Sequence, residues 1–214
     1  MKVNMLNSLH MEYGHRFKAE FQQLLEQQTF AEAVFRNSDL LFKDEDAPFY
    51  HTLQHCFGCS FEGMALGLSR IWDERRGDEH LISIPNLVTI FEDHQFLGCQ
   101  DLARGRQDRA KFDSLYADPI RMRLRVVRTE ALAHSVMVGK SSDRNKSDIK
   151  GKLEFGVVNG DALAYCRKTL DLLFSLNDQL TMSKWRAKKS MDEMTIEWNS
   201  RHVAFLKHFV AKLQ

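Results

Sequence analysis

Residues 48–75 read PFYHTLQHCFGCSFEGMALGLSRIWDER, and their spacing predicts one long helix. Leu53, Phe57, Phe61, Met64, Ala65, Leu68, Ile71 and Trp72 recur at helical steps and cover much of the circumference. A helix that is apolar on so many sides belongs at the centre of a bundle. Pro48 suits its first turn, where a missing N–H costs nothing. Gly58, Gly63 and Gly67 each cost roughly 1 kcal/mol against Ala in a helix interior. Close approach of a neighbouring helix is their expected use. Gly77-Asp78 ends the element.

Upstream, about Asn7 to Asn37 reads as one or two helices, with Phe17, Phe21, Leu24, Leu25, Phe30, Val34 and Phe35 as the apolar stripe. Lys43-Asp44-Glu45-Asp46 is a polar break. Downstream, Ser83 with Pro85 opens a helix that carries Leu87, Ile90, Phe91 and Leu97. Gln100 to Ala117 is polar, a short helix or a loop. Asp118-Pro119 is a strong helix start, an N-cap followed by proline at the first helical position. Residues 139–152 are the most loop-like stretch, and a short alternation near Leu153 to Val158 is the only strand signal. A helix follows from about Asp161 to Leu180. A last one runs from about Met191 to Leu213, with Ile196, Val203, Leu206, Phe209, Val210 and Leu213 facing one way. The expected fold is all-α: a helical bundle over residues 1–180, with an additional C-terminal helical extension, 181–214, packing on it.

Composition agrees with this. Only 3 Pro and 11 Gly punctuate 214 residues, so long helices meet few breakers. No apolar run between Met1 and Phe17 resembles a signal peptide. No stretch approaches the 18 or so consecutive apolar residues of a membrane span. The four cysteines, at 56, 59, 99 and 166, suggest no disulfide framework. The chain is therefore expected to be soluble and cytoplasmic, with no membrane partner. Net charge is +1, but it is unevenly spread. Residues 1–100 carry 8 basic and 15 acidic side chains, residues 101–152 carry 13 and 7, and residues 153–214 carry 9 and 7. A basic middle third can be a footprint for a phosphate backbone or a solvated helix face.

The chemistry-bearing stretch is Arg121-Met-Arg-Leu-Arg-Val-Val-Arg-Thr-Glu-Ala-Leu-Ala-His134. Arg121, Arg125 and Arg128 share one helix face at i, i+4 and i+7. Each guanidinium offers a fork of donors, so together they can hold phosphates, although a solvated charged face has the same pattern. His134 can exchange a proton near neutral pH. A base that takes the ribose 2′-OH proton and an arginine that holds the charge growing on the phosphorane suffice for metal-free RNA cleavage. Six residues rotate an ideal helix by about 600° and lift it about 9 Å, which leaves Arg128 and His134 about 120° apart. Either the helix ends or bends before His134, or the pair forms across a two-fold dimer axis.

The segment Arg128-Thr-Glu-Ala-Leu-Ala-His134 resembles the R-x4–6-H motif of the HEPN superfamily (higher eukaryotes and prokaryotes nucleotide-binding). Leu68-Ser-Arg70-Ile-Trp-Asp73, Ile84-Pro-Asn-Leu-Val, the Arg…Ala-His block and Asn159-Gly-Asp-Ala-Leu, in that order, resemble its abortive-infection U-type branch. The resemblance covers roughly residues 20–180. It implies a bundle that dimerises around the motif helix, and a metal-independent ribonuclease acting as a toxin or in phage defence. It further implies RNA as substrate, a cognate antitoxin as partner, and no cofactor. By position, Arg128 and His134 become the catalytic pair, Arg70 and Asp73 the supporting residues, and Arg121 and Arg125 the RNA-binding ones. Thr129 stands where members often carry Asn, and Val136 stands where nucleotidylated toxins carry a tyrosine. Other members have lost catalysis, and a non-catalytic RNA- or nucleotide-binding or protein-interaction module is the alternative.

Two readings compete locally with these roles. Arg70 and Asp73, at i and i+3, can instead form a buried ion pair that fixes helix register. His51, His55 and Cys59 fall on one face at i, i+4 and i+8, a spacing that can bind zinc. No fourth ligand is visible and no Glu follows His51, so satisfied histidines and a buried cysteine are expected there, with no metal.

Overall fold

The computed structural model describes residues 2–42, 49–73, 83–93, 101–126, 159–179 and 188–213. Among these the fold is all-α, with no strand. The residues near Leu153 to Val158 lie outside the described ones, as does the loop-like 139–152 stretch.

The upstream stripe forms one helix, α1 (Lys2–Arg36), followed by the single turn α2 (Ser38–Leu41). Asn37 separates them, and its side-chain amide donates to the Ala33 carbonyl at 2.7 Å, closing the end of α1. The glycine-bearing segment is α3 (Tyr50–Ile71), packed along α1. Leu53, Met64, Ala65, Leu68, Ile71 and Trp72 are buried, and Phe57 and Phe61 partly so. The glycines divide. A methyl on Gly67 would sit 3.3 Å from Leu24 Cδ1, and one on Gly63 would meet the Gln27 carboxamide, its carbon at 2.9 Å. Both mark the close approach of α1. Gly58 has nothing within 4 Å of such a methyl, so close packing does not account for it.

α4 (Ile84–Asp93) opens as its sequence predicts, with Ser83 Oγ accepting the Asn86 N–H at 3.4 Å and Pro85 in the first turn. The polar stretch is a full helix, α5 (Leu102–Tyr116). Asp101 Oδ1 accepts the N–H groups of Ala103 (2.8 Å) and Arg104 (3.2 Å), which makes it the N-cap. α6 (Pro119–Val126) begins where Asp118 Oδ1 accepts the Ile120 N–H at 2.9 Å.

α7 (Asn159–Gln179) runs against α1 and α5 and supplies Ala162, Tyr165, Cys166, Leu170, Leu172, Leu173 and Leu176 to the core. Trp72 sits among Phe112, Tyr116 and Tyr165 with ring centroids 5.9–6.4 Å away. Its indole N–H donates to Thr169 Oγ1 at 3.2 Å, so no buried donor is lost.

α8 (Met191–Leu213) packs along α1. Leu206 and Val210 join Ala33, Val34, Leu41, Phe49 and Leu53 in a second apolar cluster. The expected single face needs correcting, because Ile196 is 65% exposed. The first turns use Met191, Met194 and Trp198 against the main core, while the last use Val203, Leu206, Phe209 and Val210 against the second cluster. The buried stripe drifts around the helix as it passes from one cluster to the other, and Ile196 falls outside it.

Candidate functional site

In sequence α6 leads into the Arg128–His134 motif, and its buried leucine docks it against α3. Leu124 is 2% exposed, and its carbonyl accepts the Ser69 hydroxyl of α3 at 3.5 Å. The C-terminal end of α3, with Arg70 and Asp73, therefore lies beside α6, with Arg125. Arg128 and His134 themselves lie outside the described residues, as does the chain between Val126 and Asn159.

Arg70 and Asp73 do not form the buried pair that one reading expected. The Arg70 side chain is half exposed and its guanidinium lies 3.1 Å from Glu20 Oε2 of α1. An exposed arginine gains little from a surface carboxylate, so the contact does not hold the helix in register by itself. Asp73 is half-buried just past the helix, where its N–H donates to the Arg70 carbonyl at 3.2 Å.

Arg121 and Arg125 share a face but not an environment. The Arg121 guanidinium stacks 3.8 Å from the Tyr116 ring centroid, and its Nε donates to the Tyr116 carbonyl at 2.8 Å. That carbonyl belongs to the last turn of α5, where a cation is favoured. Arg121 thus ties α5 to α6. Arg125, one turn further on, is exposed. Nearby, Tyr165 donates to the Leu115 carbonyl at 3.1 Å, and burial pushes its hydroxyl far above the ordinary range against the pull of Arg121. Its hydroxyl joins α7 to the end of α5.

The sequence reading missed a buried polar network between α5 and α7. Asp108 is 1% exposed. Its Oδ2 accepts the Ser175 hydroxyl at 2.7 Å and the Gln179 amide. Lys111 Nζ lies 3.6 Å from Oδ1. Arg104 extends the network, with Nε donating to Ser175 Oγ at 3.0 Å and Nη1 to Asp178 at 2.7 Å. Arg109 pairs with Glu92 and Asp113, and the Asp113 hydrogen bond leads in holding its pKa above the ordinary value. Spacing alone shows Asp108 as one more polar residue of a charged helix. Only the packing of α7 reveals it as buried.

Cys59 departs from expectation, because it is exposed and not buried, as are His51 and His55 beside it. Cys59 Sγ lies 3.6 Å from His55 Nε2. Cys166, by contrast, is fully buried, and burial pushes its thiol well up. Cys56, Cys59 and Cys166 are all free thiols. No helix among the described residues is long and apolar enough to cross a membrane. Comparison with models of protein families, with curated proteins and with solved structures finds no match to this chain.

Proposed function

We propose that the chain is a HEPN-type endoribonuclease that cleaves RNA without metal, as a cytoplasmic homodimer in a toxin or phage-defence role. Arg128 and His134 carry the chemistry. His134 takes the 2′-OH proton, the oxygen attacks the adjacent phosphate, and Arg128 holds the charge on the phosphorane. The 5′-oxygen leaves with a proton, giving a 2′,3′-cyclic phosphate and a 5′-hydroxyl. Arg125 holds a flanking phosphate, with Arg121 anchoring the helix that presents it. The pair meets in a cleft between two copies, where the same helix faces its mate. In a toxin setting a cognate antitoxin is the partner.

The observation that carries this reading is the Arg128…His134 motif placed downstream of α6. The docking of Leu124 against Ser69 supports it, because that contact brings the motif's lead-in helix beside Arg70 and Asp73. Purified protein, RNA and a chelator provide the test. Cleavage that leaves a 2′,3′-cyclic phosphate and disappears in His134→Ala is the expected result. RNA binding without cleavage by the wild-type chain would replace this reading with a non-catalytic binding module. No binding at all would remove RNA as the partner.

A further inference from the structure

One face of α3 carries a group that the ribonuclease reading does not use. His51, Gln54, His55, Gly58, Cys59 and Glu62 line a shallow recess open to solvent. Two of these side chains are already in contact, with His55 Nε2 and Cys59 Sγ 3.6 Å apart. A tetrahedral zinc ion, with Zn–N near 2.05 Å and Zn–S near 2.3 Å, holds an N and an S ligand about 3.6 Å apart. The observed separation matches one edge of such a tetrahedron. The same separation suits a weak S–H···N hydrogen bond in the metal-free protein.

We propose that His55, Cys59 and Glu62 form a surface zinc site with an open fourth position. Successive residues turn a helix by about 100°, so these three lie within about 60° of its circumference. Helical side chains lean toward the N-terminus, which tilts the Glu62 carboxylate back toward the Cys59 sulfur. Among the described residues no three such side chains converge as they stand. The exposed Glu62 side chain closes the site by rotating. His51 is the poorer third ligand, since it would have to turn C-terminally and its ring already packs edge-on against Tyr50 at 5.3 Å. Gly58 leaves the rim of the recess open, with no contact within 4 Å of an added methyl, so water completes the coordination. Zinc displaces the thiol proton of Cys59, and one proton passes to buffer for each ion bound.

The test uses the 214-residue chain, kept reduced with a phosphine, and cobalt(II) as a spectroscopic stand-in for zinc. We expect one equivalent per chain, a thiolate-to-cobalt charge-transfer band, and displacement of cobalt by zinc. Cys59→Ser should abolish the band, His55→Ala should weaken binding at least tenfold, and Glu62→Gln should weaken it several-fold. His51→Ala should change little. All four positions are exposed, so the variants keep the helix content, which circular dichroism checks. A band that survives Cys59→Ser would move the metal to another cysteine and overturn the assignment. So would wild-type affinity no higher than that of the His55→Ala/Cys59→Ser double variant. RNA cleavage plays no part in either readout, so the two proposals fail separately.

Discussion

Ser175 on α7 donates its hydroxyl to the carboxylate of Asp108 on α5 at 2.7 Å, in a position where Asp108 is 1% exposed. A buried carboxylate is costly unless donors and a counter-charge meet it, and here Ser175 and Gln179 donate to Oδ2 while Lys111 faces Oδ1. Asp108→Ala strips the Ser175 and Gln179 donors of their acceptor and leaves a hole. The expected loss is about 3 kcal/mol in urea unfolding followed by circular dichroism. Asp108→Asn keeps an oxygen for those donors but points an amide at Lys111, and should cost about half as much. Equal stability of wild type and Asp108→Ala would contradict the network.

The indole of Trp72 makes a narrower prediction. Its N–H has Thr169 Oγ1 as acceptor in a buried setting. Thr169→Val keeps the shape and removes the acceptor, so the loss should be about 1–2 kcal/mol. Thr169→Ser should recover most of it. A silent valine variant would mean that the indole has another acceptor.

Gly58 and Gly67 of α3 should respond differently to alanine. Gly58→Ala meets open space and gains helix propensity, so it should stabilise by about 0.5–1 kcal/mol. Gly67→Ala must push Leu24, which is 1% exposed and packed in the core, and should fail to return that gain. Thermal melts of the two single variants compare them directly.

A pH dependence follows from His202. Burial depresses its pKa, Glu26 pulls it up and Arg201 down, and its ring packs against Phe30 and stacks on Trp198. The unfolded chain then binds this proton more readily than the folded one. Stability contributed by the neutral ring is present above the unfolded value of about 6.5 and falls as pH drops through it toward the folded value. His202→Phe should flatten the stability profile between pH 7 and 5. An unchanged profile would show that other groups set it.

The elements whose ends carry local chemistry were legible in the sequence. Asp118-Pro119, Ser83 with Pro85, and Met191 all mark helix starts that the structure reproduces within a residue or two. The ambiguity at Gln100–Ala117 had a physical origin. The first turns of α5 bury Gly105 and Asp108 against α7, and only the last turns bury Phe112 and Leu115, so its inner face is half polar and shows too short a hydrophobic period to be read. Ile196 misled for the opposite reason, since a stripe that drifts between two clusters does not obey one fixed phase. At the candidate site, spacing identified the shared face of Arg121 and Arg125. It carried no sign that Tyr116 would claim one of them, because that contact depends on the angle between two helices.

The arginine pairing on α5 bears on the salt dependence that the proposed RNA binding would show. Arg104 and Arg109 already face carboxylates of their own chain, so each would have to give up an internal partner before it neutralised a phosphate. Each phosphate newly neutralised frees roughly 0.7 of a condensed cation from a single strand. Under that proposal the affinity for RNA should fall with added salt more gently than the 13 basic residues of the middle third would suggest.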